Sequence, residues 1–376
     1  MPVYLDCNAT TPVEDAVRQE ILKYLGEEFG NAGSRTHVYG TRAKQAVERA
    51  REQVARLVAA DRDEVIFTSG ATESNNLAIL GLAPFGDACG RKHIVSSQIE
   101  HKAVLEPLEE LQRRGFQVTL VPPTRGGWVD PETIKNALRP DTLLVSLMHV
   151  NNETGVIQPI ESVANILSDH PAFFHTDAAQ GYGKDLAPLR NARIDLISIS
   201  AHKIFGPKGV GALVARRRGF EFPPLEPLLF GGGQERGLRP GTQPVFLIAG
   251  LGKAAELAAD GTERRANICR AFKTRLLAAL EPAGAIVHGD IDRLQPHVVN
   301  LSFPGLDSEA VMLALKDLVA ISNGSACTSS SYKPSHVLRA MGLTEDEGRC
   351  ALRWSWCHMT ETPDWEEVVA AIKRLV

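Results

Sequence analysis

From Glu64 onward, short apolar runs alternate with longer segments of helical periodicity. EVIFTSG precedes ATESNNLAILG, HIVSS precedes HKAVLEPLEELQRR, FQVTLVP precedes DPETIKNAL, and LLVSLMHV precedes PIESVANILSDH; FFHTDA and IDLISIS close the series. Strands separated by helices predict parallel pairing and a helix-covered α/β sheet. Upstream, Thr11-Pro12-Val13-Glu14 has the spacing of a capping box with proline at the first helical position. Val17, Ile21 and Leu25 follow Val13 at intervals of four, so a helix is expected to run to about Gly26. A second amphipathic helix is expected over residues 41 to 59, burying Val47, Val54, Leu57 and Val58. Two helices, at 246–259 and 264–280, would form the hinge into a smaller α+β unit. That unit reads VVNLSF strand, DSEAVMLALKD helix, a loop at VAISNGSACTSSS, SHVLRAMG helix, RCALRWSWC strand and DWEEVVAAIKRLV helix. The expected division is a large α/β domain over 15–257 and a small domain over 258–376, joined by a segment at 1–14. No internal repeat or low-complexity segment is apparent.

Composition narrows the function. The chain has 376 residues, 44% hydrophobic and 23% charged, with a net charge of −4. That balance gives no footing for nucleic-acid binding, and the basic runs Arg113–Arg114 and Arg216–Arg218 are short enough for solvated loops and helix ends. The N-terminus lacks a basic stretch followed by an apolar one, and no apolar run reaches membrane-spanning length; a cytoplasmic location is expected. The six cysteines are scattered without a C-x-x-C pair, which argues against a metal knuckle or a disulfide framework. Most are expected to be reduced and structural, with Cys89, Cys269 and Cys350 fitting that role best.

The residues able to do chemistry fall at the carboxyl ends of the expected strands, where α/β sheets bind ligands. The stretch SISAHKIFGPKGVGAL delivers Lys203 to the end of one strand and then turns back through glycines. An amine shielded there from bulk water loses part of its preference for charge and can condense with an aldehyde. Gly70-Ala71-Thr72-Glu73-Ser74 follows a strand and opens a helix, offering free backbone N–H groups to an anion; Thr68, Ser200 and His202 could add donors. Asp177, which could also serve as a helix cap, could face a heteroaromatic nitrogen and keep it protonated. Gln180 could donate to a phenolic oxygen. His101 is either a satisfied core histidine or a ring-stacking group that shuttles protons. Together these residues describe a pyridoxal phosphate pocket. Cys327 lies in SNGSACTSSS, a run too small and polar to pack as core, which suits a nucleophile better than a buried thiol. Arg353 is a candidate carboxylate clamp.

These residues resemble the cysteine desulfurases, members of the class V aminotransferase-like, fold-type-I pyridoxal phosphate enzymes. The resemblance is carried in order by YLDCNATTPV, FGNAGSRTHVYG, FTSGATESNNLAI, EH at 100–101, HVNNETGVIQPI, HTDAAQ, SAHKIFGPKGVGAL, GGGQERGLRPGTQPV, NLSFPG, SNGSACTSSSYKPSHVLRAMGL and LRWSW. It covers essentially the whole chain, and the run around Cys327 resembles the group with a long cysteine-bearing loop. The resemblance implies a large, mostly parallel-sheet domain and a small α+β domain. Lys203 would hold pyridoxal 5'-phosphate and later move the substrate Cα proton. Asp177 would pair with the ring nitrogen, Gln180 with the phenolic oxygen, and His101 would stack on the ring. Ala71, Thr72, Ser200 and His202 would bind the phosphate, with Thr242 reaching it from the other subunit of a homodimer. Asn31, Asn152 and Arg353 would hold L-cysteine, and Cys327 would take its sulfur as a persulfide. The acceptor would be a protein serving iron–sulfur cluster assembly, tRNA thiolation, thiamine or molybdenum cofactor synthesis, or DNA phosphorothioation, and no metal is implied. Another lyase or aminotransferase of the superfamily, such as a selenocysteine lyase, would use Lys203 without needing Cys327; a non-catalytic sulfur-relay scaffold is a third alternative. The chain departs from the family pattern at Ala32, where proline is frequent, at Pro240, where serine is usual, and at Cys357, which replaces a common glycine. It also ends soon after Thr360, where members feeding an iron–sulfur scaffold often carry a longer docking tail.

Overall fold

The computed structural model describes residues 1–323 and 335–375. The expected alternation forms a seven-stranded sheet whose order is Val65–Thr68, Gly211–Ala215, Leu196–Ser200, Phe173–Asp177, Thr142–Ser146, His93–Ser97 and Gln117–Val121. Six strands run the same way, and Gly211–Ala215 alone runs against them, paired antiparallel on both sides. The turn at Gly206–Gly209 produces that reversal: it returns the chain directly beside the strand that carries Ser200. Val65–Thr68, His93–Ser97, Thr142–Ser146, Phe173–Asp177 and Leu196–Ser200 are buried along their whole length, as expected of strands covered by helices on both faces. All six parallel strands therefore end on one edge.

That edge is closed by a second layer. Ala351–Ser355, Val298–Ser302 and Ile286–His288 form a three-stranded antiparallel sheet, packed on a separate core that includes Leu276, Leu280, Phe303, Trp354 and Trp356. The strand Ile286–His288 and the short helix Glu345–Arg349 had no signal in the hydrophobic pattern. The amino-terminal arm joins this smaller unit: Val3–Tyr4 pairs in parallel with Val319–Ala320, and Leu5 is buried in its core.

Three expectations are corrected. The helices at 246–259 and 264–280 are one helix, Val245–Leu280, so the expected boundary at 257/258 falls inside a continuous element. Gly261 does not break it, because the helix is held from both lobes and Thr262 bonds back to the carbonyl of Ala258 at 2.6 Å. The Thr11 capping box does not form either. The first helix is Asp15–Leu22, with Glu14 at its cap. Thr11 Oγ1 instead donates to the His202 carbonyl at 3.0 Å and accepts from the Phe205 N–H at 2.9 Å, while Glu14 is taken by Arg265 at 2.7 Å and His358 at 2.8 Å. Finally, Arg216 is no solvated loop residue: it is buried and donates to the carbonyls of Asn191, Ile194, Leu189 and Val58. Arg218 and Arg193 clasp the buried Asp195 beside it. Hydrogen bonds to four carbonyls outweigh the usual preference of a guanidinium for water. Arg113 and Arg114 are exposed, paired with Glu110.

Candidate active site

A cavity of about 520 Å³ opens where the parallel strands end, lined by Ala71, Thr72, His101, Asn152, Asp177, Gln180, Ser200, His202, Lys203 and Arg353 among others. Ten of the thirteen residues singled out from sequence thus share one space. Asn31 and Thr242 do not line it in this chain; both are exposed, and Asn31 Oδ1 is engaged by the Gly33 N–H at 2.8 Å. Cys327 lies outside the described residues.

Each wall follows from a local feature. The first is the helix Ala71–Leu80, whose opening turn points its unbonded N–H groups into the cavity. The strand Gly211–Ala215 presses this turn into place: a Cβ on Gly211 would lie 2.3 Å from the Ile199 carbonyl oxygen and 2.6 Å from Gly70 Cα. Only glycine permits that approach. One helical turn further on, Asn75 is fully buried and donates to Asp177 Oδ2 at 2.7 Å, while Asp177 Oδ1 accepts from the Ala179 N–H at 2.9 Å. Both carboxylate oxygens are fixed, and Asp177 faces the cavity in one orientation.

Lys203 ends a short helical turn after the strand Leu196–Ser200. Its Nζ donates to the carbonyls of Asn8 and Ala9, the latter at 2.8 Å. Asn8 is the hub of the arm: its carbonyl also accepts from Gln180 Nε2 at 2.9 Å, and its Nδ2 donates to the Asn152 carbonyl at 3.1 Å. His202 meets Thr10 Oγ1 at 3.2 Å, and burial together with the Lys203 and Lys208 charges lowers its pKa to about 4. It is therefore a neutral donor or acceptor at neutral pH.

His101 caps the helix Lys102–Arg113: its Nδ1 accepts from the Ala103 N–H at 3.1 Å. That bond places the proton of the neutral ring on Nε2. Burial lowers the His101 pKa; the Asp177 carboxylate opposes this and the Lys203 charge adds to it. Behind it, Glu100 is fully buried, accepting from Ser97 Oγ at 2.7 Å and the Met148 N–H at 2.9 Å, and burial pushes it up to about 8.

Arg353, on the strand Ala351–Ser355, closes the cavity from the smaller unit. It is 4% exposed, donates to Asp6 Oδ1 at 2.7 Å and the Asn152 carbonyl at 3.1 Å, and keeps a buried Nε with no partner. Sequence reasoning missed Asn8, Asn75 and Glu100. Asn75 had a readable signal, a polar side chain one turn after Ala71 on the face that must meet the sheet; Asn8 acts through its backbone and had none.

The class V aminotransferase model matches residues 3–368, and the chain belongs to that family. It is 44% identical over 376 residues to the cysteine desulfurase IscS of Vibrio cholerae, covering 99% of this chain and 92% of the relative. Among solved structures, DndA from Streptomyces lividans is 54% identical with a TM-score of 0.83, covering 94% of this chain and 98% of that one. SspA in complex with cysteine is 37% identical with a TM-score of 0.81, over 94% and 98% respectively. Within the class V family, the chain is a member of the cysteine desulfurases.

Proposed function

We propose that this desulfurase converts L-cysteine to L-alanine and carries the released sulfur as a persulfide on Cys327. The observation behind this reading is the convergence of Lys203, Asp177, His101 and Arg353 on one cavity at the carboxyl edge of the sheet. The donor set fits pyridoxal 5'-phosphate. Asp177 is a carboxylate immobilised by Asn75 and Ala179, suited to a protonated ring nitrogen. The amides at the opening turn of the helix Ala71–Leu80, with Thr72, Ser200 and neutral His202, suit a phosphate, and Gln180 suits the phenolic oxygen. When bound, the cofactor supplies an electron sink for the negative charge that develops at Cα.

The remaining work falls to the protein. Lys203, whose Nζ is held by the carbonyls of Asn8 and Ala9, would take the Cα proton and return it. His101, with its proton fixed on Nε2, would help hold the ring and would exchange a proton with the substrate. Arg353 and Asn152, which both line the cavity, would orient the substrate carboxylate. The Cys327 thiolate attacks the substrate sulfur, the Cβ–S bond breaks, and its electron pair stays on the fragment that takes up protons to become alanine.

A homodimer completes the site in this reading. The loop around Phe220–Gly233 leaves Phe220, Leu229 and Phe230 exposed, an apolar surface suited to a second copy, and exposed Thr242 follows that loop. The sulfur acceptor is a further protein. Free thiols at all five described cysteines are in keeping with a cytoplasmic location, and no helix of the described residues is long and apolar enough to cross a membrane.

The deciding experiment compares alanine and sulfide formation from L-cysteine plus reductant in the native protein and in Cys327→Ser. The expected result is turnover by the native protein, with a variant that keeps its cofactor absorbance but forms no persulfide. Equal turnover by both would transfer the protein to the superfamily's lyases or aminotransferases.

A further inference from the structure

Behind the active-site wall lies a second, smaller cavity of about 40 Å³, lined by Cys7, Lys184, Arg265, Cys269, His297 and Cys357 among others. The mechanism above uses none of these groups. Cys7 and Cys357 are 2% and 4% exposed and form a small cluster with Phe205. The arm explains how they meet. Asp6 bridges in parallel to Ser355, the Ser355 N–H donates to the Leu5 carbonyl at 2.8 Å, and the Cys7 N–H donates to the Ser355 carbonyl at 3.0 Å. Residues 7 and 357 therefore leave adjacent, parallel segments side by side and pack together with Phe205.

The pair is chemically unequal. The Thr360 hydroxyl donates to the Cys357 sulfur at 3.6 Å, and the neighbouring Cys7 thiol together with this bond lowers the Cys357 pKa, while the Cys357 sulfur and burial raise that of Cys7. Lys184, in the same cavity, adds positive charge. A stabilised thiolate beside a protonated thiol is the arrangement in which one sulfur reacts and the other resolves. Cys269 shares the cavity, but burial pushes its thiol up to about 12, which makes it an internal control.

We propose that Cys7 and Cys357 constitute a buried dithiol modification site that a small hydroperoxide closes to an intramolecular disulfide. The cavity has room for a molecule of that size. The Cys357 thiolate attacks one peroxide oxygen, the O–O bond breaks, and hydroxide leaves with the proton it needs to become water. The sulfenic acid so formed is attacked by Cys7 sulfur; the S–O bond breaks, a second water leaves, and the S–S bond forms. Two thiols are oxidised by two electrons and one peroxide is reduced to two waters. The site sits one residue from Asn8, whose carbonyl holds Lys203 and Gln180.

The test uses the cofactor-loaded protein carrying Cys327→Ser, so that the proposed sulfur carrier does not consume oxidant. After treatment with about one equivalent of hydrogen peroxide, thiols are alkylated under denaturing conditions and mapped by peptide mass. The expected result is a Cys7–Cys357 linked peptide two protons lighter than the sum of its parts, restored by dithiothreitol, with Cys269 still alkylatable. In Cys7→Ser, Cys357 should appear as sulfenic or sulfinic acid with no cross-link. Full alkylation of both cysteines after peroxide, or linkage of Cys357 to a different cysteine, would overturn the proposal.

Discussion

Arg353 is the residue whose surroundings most constrain its role. Its guanidinium is buried, two of its nitrogens are committed to Asp6 and Asn152, and the third has no partner. Arg353 lines the cavity; in the proposed reading it binds the substrate carboxylate, and a charge-assisted bond of that kind contributes about 1.5–3 kcal/mol. Arg353→Lys keeps the charge but loses the fork, so KM for L-cysteine is expected to rise roughly 10- to 150-fold with a smaller change in kcat. A KM within twofold of the native value in steady-state assays would remove Arg353 from substrate binding. Glu100 makes a separate prediction. Its pKa is raised to about 8 by burial, so between pH 4.5 and 8 the folded protein binds more protons than the unfolded chain. Stability therefore falls as pH rises through that window, by up to about 5 kcal/mol from this group. His175 acts in the opposite sense: burial lowers it to about 4, so its contribution is present above pH 6.5 and is lost as pH falls toward 4. Comparing Glu100→Gln with the native protein isolates the first effect. Denaturation midpoints should coincide near pH 4.5 and favour the variant increasingly toward pH 8; parallel curves would contradict it.

At the scale of elements, the sheet and its lysine turn were legible because their signals are local. Apolar runs, a strand that stops at Ser200 and glycines at 206, 209 and 211 suffice to place Lys203 at a strand end. The amino-terminal arm was not legible, since its function depends on partners nearly two hundred residues away. Thr11 satisfies every local rule for a capping box, yet the His202 carbonyl and the Phe205 N–H claim its hydroxyl. The long helix was missed for a similar reason: Asp260 and Gly261 suggest a break, but packing against both lobes carries the helix through them. Gly211 joins the two levels, because the turn at Gly70 is only as well placed as the strand pressing on it. Gly211→Ala would drive its Cβ into the Ile199 carbonyl and Gly70 Cα. The expected outcome is a loss of about 1–3 kcal/mol in stability together with weaker cofactor retention on gel filtration. A variant with native stability and cofactor content would mean that the strand and turn separate without cost.

For the whole molecule, the unfinished part of the site is informative. The cavity gathers His101, Asp177, Lys203 and Arg353, while Thr242 stands exposed beyond the loop that bears Phe220 and Phe230. If Thr242 serves the phosphate of a second copy, the two residues Thr242 and Lys203 belong to the same site only across subunits. Thr242→Ala and Lys203→Ala proteins, each of low activity alone, can then rescue one another. A mixed dimer has one site with both residues replaced, and one in which native Lys203 faces native Thr242 from the partner. Random reassortment makes half the dimers mixed, each with one working site of two. Activity should thus recover to about a quarter of native after the two variants are unfolded and refolded together. If Thr242 acted within its own chain, every site in every mixed dimer would lack one residue, and no recovery would follow. A Phe230→Asp substitution provides the control, since burying that carboxylate in the interface should shift the sedimentation profile toward monomer and abolish the rescue. Rescue that survives in a monomeric preparation would show that the apolar loop and the shared site are unrelated.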